Sequence, residues 1–135
     1  MYYSDDIKNP HKKNITIIKE NFSVQSGVSP DILICRHVIE HIPKPIEFLK
    51  SIQDSINDTN CTLFFEVPDM NWILKSKNYF DLPYEHCSYF NNNSIITAFN
   101  NVGFNVKKLS KNLKVNICGL WQITFPKRLH PWKAG

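Results

Sequence analysis

The strongest constraint on the fold is a pair of uninterrupted apolar runs separated by one amphipathic segment. Residues 31–35 read DILIC and residues 61–68 read CTLFFEVP. Short continuous apolar runs are expected of strands buried on both faces of a parallel sheet. Between them, residues 45–56 (PIEFLKSIQDSI) bring Ile46, Leu49, Ile52 and Ile56 onto one helical face. Pro45 suits a first helical position, where the N–H that it lacks has no intrahelical partner. Strand, helix and strand in this order form a βαβ unit, whose two strands run parallel because the helix carries the chain back to the same edge.

The remaining segments extend that unit. Residues 1–13 are polar and read as a loop, and the β-branched run at 14–20 (NITIIKE) reads as a strand. Turn chemistry follows at 23–30, and again at 57–60 (NDTN). Residues 69–90 are aromatic-rich and irregular. Asn92 and Asn93 then offer an N-cap for a helix with Ile95, Ile96, Phe99 and Val102 as its buried stripe and Gly103 as its stop. A strand opening with Phe104, Val106 and Lys108 and another across 115–125 complete the chain as an antiparallel hairpin. The pattern is an α/β domain over residues 14–125, between an N-terminal loop at 1–13 and a basic tail at 126–135.

Composition narrows the function. A chain of 135 residues with 42% apolar content supports one core. Its four glycines, at 27, 103, 119 and 135, are too scattered for any glycine-rich phosphate cradle, which needs several neighbouring positions without a Cβ. The net charge is +4, and no acidic residue follows Glu85, whereas Lys107, Lys108, Lys111, Lys114, Lys127, Arg128 and Lys133 do. This basic third reads as a solvated surface or as a face for an anionic partner, and no aromatic-interleaved arginine motif points to nucleic acid. Cysteines 35, 61, 87 and 118 have neither CxxC spacing nor a secreted disulfide pattern. With no signal-peptide h-region and no apolar run near 18 residues, the expected compartment is the cytoplasm, with no membrane partner.

Two constellations carry potential chemistry. His37-Val38-Ile39-Glu40-His41 spells H-x-x-E-H, an inverted zinc-peptidase motif. That motif needs a sustained helix to bring its histidines together, and Pro43 and Pro45 forbid one, so no metal is assigned. The segment's place matters more, since ligands of open α/β sheets bind at the carboxyl ends of strands. The alternative is that His37 and His41 cap a turn. The second constellation is Tyr84-Glu85-His86-Cys87-Ser88-Tyr89-Phe90, where a carboxylate beside an imidazole among aromatics suits a general base, or else serves packing.

The segments ICRHVIEHIPKPIEFLKSI, FFEVPDMNWIL, YEHCSYF and FNNVGF, in this order, resemble the C-terminal half of a class I S-adenosylmethionine-dependent methyltransferase. The likeness runs over residues 14–125 and is nearest to the C-methyltransferases of nucleotide-linked keto-sugars, which serve polysaccharide and antibiotic-sugar pathways. It implies a Rossmann-like fold with S-adenosyl-L-methionine as cofactor. Arg36 and His37 would neighbour the methionine end, Glu40 and His41 would line the same crevice, Glu20 would meet the adenine amino group and Phe22 would pack on the ring. His86 would take a proton from the carbon next to a ketone, Glu85 would orient or share it, and Tyr84 or Tyr89 would hydrogen-bond the developing oxyanion.

The same comparison implies that the fold is incomplete here, its first two strands and glycine-rich loop being absent from the chain. A separately encoded N-terminal half is then an expected partner. On this reading the chain alone is marginally stable and binds cofactor weakly. The rival reading is a non-catalytic remnant or interaction module that keeps half of the fold.

Overall fold

The computed structural model of the chain describes residues 19–20, 22–56, 61–111 and 118–124. Strand β1 (Ile32–Arg36) leads through a tight turn into helix α1 (Pro45–Ile56), and the chain returns as β2 (Thr62–Val67). β1 and β2 are parallel, with Ile34 opposite Phe64 and Arg36 opposite Glu66. The short helix α2 (Met70–Ser76), helix α3 (Asn92–Asn101) and strands β3 (Asn105–Lys111) and β4 (Cys118–Thr124) follow. β4 inserts between β2 and β3 and runs antiparallel to both, giving the sheet order β1-β2-β4-β3. The βαβ unit and the closing hairpin therefore form as their patterns predict.

The core lies between one face of this sheet and the helices α1 and α3. Leu49, Ile52 and Ile56 from α1 and Ile95, Ala98 and Phe99 from α3 are buried with Cys35, Leu63, Phe65 and Val67 from the strands. Phe99 sits at the centre, edge-on to Phe65 at 4.9 Å and to Phe104 at 5.7 Å between ring centroids. Aromatic edges carry positive charge and faces negative charge, so this T-shaped arrangement adds attraction beyond area burial. Gly103 ends α3 in the left-handed region at φ 86°, the conformation that a side chain resists.

Several sequence expectations are corrected. β1 is not buried on both faces: Ile32 and Ile34 are 59% and 64% exposed, whereas Leu33 is half-buried and Cys35 buried. Its apolar run alternates across the pleat like any strand, and among the described residues no helix packs on its outer face. Ile46, in the first turn of α1, is also exposed. The N-cap of α3 is Asn91 rather than Asn92 or Asn93. Its side chain accepts from the Ser94 N–H at 2.9 Å while Ser94 Oγ accepts from the Asn91 N–H at 3.0 Å, a reciprocal capping box.

The segment 69–90 also holds a helix that its irregular pattern did not predict. Asp69 caps α2 by accepting from the Asn71 N–H at 3.0 Å, and the Met70 N–H donates to the Phe90 carbonyl at 2.9 Å. Both ends of the aromatic insertion are thus tied together beside the end of β2. Of the expected strand at 14–20, only Lys19 and Glu20 are described, and neither is in a strand. The rest of it, the turn at 57–60, the loop at 1–13 and the tail at 126–135 lie outside the described residues.

Candidate functional site

Two parallel strands present their carboxyl ends side by side, and the chemistry of this protein gathers there. Arg36 closes β1 directly opposite Glu66 of β2. Its Nε and Nη2 donate to the two carboxylate oxygens at 2.9 and 3.0 Å, the bidentate geometry for which a guanidinium is shaped. The Arg36 guanidinium holds the Glu66 carboxyl below its usual range, against the opposing effect of burial.

His37 follows in the left-handed region at φ 49°, with its N–H donating to the Glu66 carbonyl at 2.9 Å. A bulky residue rarely adopts this conformation, and strain of this kind persists where the surroundings over-determine it. The reversal turns the His37 ring onto two carboxylates. Its Nε2 lies 3.1 Å from Glu66 Oε1 and its Nδ1 3.2 Å from Glu40 Oε1. Beyond it, Ile39–His41 form a single 3-10 turn, so the H-x-x-E-H string makes no sustained helix, as the prolines dictate.

The second constellation is seated on that turn. The Cys87 and Ser88 N–H groups both donate to the Glu40 carbonyl, at 2.8 and 3.0 Å, and His41 Nδ1 lies 3.2 Å from the Glu85 carbonyl. The His41 and His86 rings meet edge to face at 4.7 Å. Two motifs far apart in the chain therefore make one site. Tyr89 lies on its rim, with its ring 5.8 Å from His86 and its hydroxyl donating to the Pro83 carbonyl at 3.2 Å.

Two polar atoms in this site are buried and have no protein partner, Glu40 Oε2 and His86 Nδ1. Glu40 is only 1% exposed. A buried polar atom left unpaired costs roughly 1–3 kcal/mol, so both call for a partner such as water, substrate or an ion, or for a catalytic role. Burial pushes the His86 imidazole below its ordinary range, opposed by the charge of Glu40.

Not every expected residue joins the cluster. Tyr84 is 95% exposed and stands away from it in solvent. Glu20 is exposed, and Phe22 is half-buried against the hydrophobic core. Conversely, Glu66 was not singled out from the sequence, although it anchors both Arg36 and His37. Its signal was an acidic residue inside an otherwise apolar strand run, where a charge persists only if paired.

A sheet with parallel strands, one inserted antiparallel strand and a polar cluster at the strands' carboxyl ends fits a partial Rossmann-like fold. A family model described as a methyltransferase domain matches residues 1–109, and the chain belongs to that family of class I methyltransferases, whose cofactor is S-adenosyl-L-methionine. Among solved structures, the chain is similar to LepI in complex with S-adenosylmethionine, at 8% identity and a TM-score of 0.53 over 73% of this chain and 27% of that one. It is also similar to the small RNA methyltransferase HEN1, at 19% identity and a TM-score of 0.51 over 78% of this chain and 15% of that one. The chain thus spans a minor part of these neighbours' length, and the likeness concerns the fold. No curated protein matches the chain. Among the described residues, no helix is long and apolar enough to cross a membrane.

Proposed function

We propose that the chain is part of an S-adenosylmethionine-dependent C-methyltransferase whose acceptor is a nucleotide-linked keto-sugar. The observation that carries this reading is the union of the Glu40–His41 turn with the Glu85–His86 loop around unclaimed buried atoms at the strands' carboxyl ends. When bound, S-adenosylmethionine supplies a methyl group made electrophilic by its sulfonium sulfur.

The residues present suit both halves of such a crevice. The Arg36 side chain is 60% exposed and its remaining N–H groups offer donors to a carboxylate such as that of the methionine moiety, while the His37 ring beside it is taken up by Glu40 and Glu66. On the acceptor side, the Glu85–His86 pair breaks a C–H bond next to the ketone by taking the proton, and the electron pair passes into the carbonyl as an enolate. In this reading the Tyr89 hydroxyl, which donates to the Pro83 carbonyl, exchanges that partner for the developing oxyanion. Glu20 and Phe22 belong to the adenine end in this reading. The basic third of the chain suits the acceptor's diphosphate.

Proton abstraction can be tested without the cofactor. In D2O, the protein is expected to speed exchange of the proton next to the carbonyl in a nucleoside-diphosphate keto-sugar, followed by NMR. Replacing both Glu85 and His86 by glutamine should cost about 100-fold or more, the scale of general-base catalysis, while Tyr84→Phe leaves the rate unchanged. Exchange no faster than in buffer counts against the assignment.

A further inference from the structure

The same cluster has a property that methyl transfer does not require. Glu40, His41 and His86 each offer one ligand atom, and these atoms lie within 4.8 Å of one another, the one such set found among the described residues. From this and the orphaned atoms, we infer that Glu40, His41 and His86 bind a divalent transition-metal ion.

The surroundings of each ligand favour this reading. Glu40 Oε1 is engaged by His37, which leaves Oε2 buried and unclaimed. His41 faces the Glu85 carbonyl with Nδ1, and a ring that donates there presents Nε2 as a free lone pair. His86 contributes a buried Nδ1 with no protein partner. Metal-ligating histidines and carboxylates are oriented by outer partners of this kind, and here His37 and the Glu85 carbonyl fill that role.

Two imidazoles and one carboxylate suit zinc and similar ions rather than magnesium or calcium, which prefer oxygen donors. Bonds of about 2.1 Å would draw the three atoms closer together and leave a fourth position open. The motif responsible is not the helical H-x-x-E-H pair. His37 supports the site from outside, and the third ligand comes from the downstream loop. With an ion on His86, Glu85 is the member of the base pair left to take the proton.

The test is a titration of the metal-free 135-residue chain with Co²⁺, followed by visible absorption, with no cofactor or acceptor present. One equivalent is expected to bind with the weak visible bands of a nitrogen and oxygen site. Glu40→Gln, which keeps the side chain's shape, and His86→Asn should each abolish them. His37→Ala should weaken binding about 10–100-fold, as loss of an outer-shell partner does, and the surface change Lys75→Ala should have no effect. Far-UV circular dichroism shows whether each variant folds, and if Glu40→Gln does not, His86→Asn carries the comparison.

Absence of binding by the folded chain overturns the inference. So does binding that survives both ligand substitutions, or an intense sulfur-to-metal band that moves the ion to Cys87 or another thiol. Because the titration needs neither substrate, its failure leaves the methyl-transfer reading standing, and failure of methyl transfer leaves the ion site standing.

Discussion

At the scale of single residues, position decides what a side chain can do. Cys35 is buried beside Glu40, and burial first, then that carboxylate, push its thiol up to about 12. Cys61 is also buried and raised, whereas Cys87 stands exposed on the site's loop. Because the thiolate is the nucleophile, iodoacetamide at neutral pH is expected to label Cys87 while Cys35 and Cys61 stay unmodified until the chain is denatured. Peptide mass mapping checks this, and early labelling of Cys35 would contradict the packing described.

Glu66 gives a second residue-level expectation, through pH. Arg36 lowers its folded pKa below the unfolded value, so the stabilisation is present above the unfolded pKa and is lost as pH falls through the folded one. Urea midpoints should therefore decline below about pH 5, and Glu66→Gln should flatten that decline. Glu66 was not legible in the sequence, and the joining of the two constellations around one crevice followed from the family resemblance rather than from local pattern. Glu40–His41 and Glu85–His86 could each be read as candidate chemistry, but their meeting depends on backbone hydrogen bonds from Cys87 and Ser88 to Glu40. Local patterns do not encode contacts of that sequence separation.

Among elements, amphipathic periodicity was the reliable guide. The stripe Leu49, Ile52 and Ile56 on α1 and the buried Ile95 and Phe99 on α3 follow helical spacing and face the core. Apolar run length misled at β1, because DILIC specifies a strand but not how many neighbours cover it. The cap of α3 was off by one residue because three consecutive asparagines are equally suitable by type. Only Asn91 stands three residues before Ser94, whose hydroxyl completes the box. Asn91→Ala should lower stability by about 1 kcal/mol, measured by urea denaturation, with Asn93→Ala nearly neutral.

For the whole molecule, the sheet and the site belong together. The parallel β1–β2 pair brings Arg36 and Glu66 level, and the segment after β2 carries Glu85 and His86 back to the turn after β1. The fold thus assembles acid, base and unclaimed lone pairs from segments that are distant in the chain. The exposed Ile32 and Ile34 place an apolar strip on the outer face of the same sheet. The class I methyltransferase family was legible because the motifs occur in order along the chain, whereas the acceptor is a matter of chemistry within the crevice.

The most direct measurement is transfer of a trideuterated methyl group from S-adenosylmethionine to a nucleoside-diphosphate keto-sugar, by the chain alone and together with an N-terminal half carrying a glycine-rich loop. A labelled methyl is expected on the carbon next to the carbonyl, formed by the assembled protein and lost when Glu85 and His86 are both replaced by glutamine. No transfer by the assembled, folded protein, or a label on oxygen that survives the double replacement, would contradict the proposed reaction.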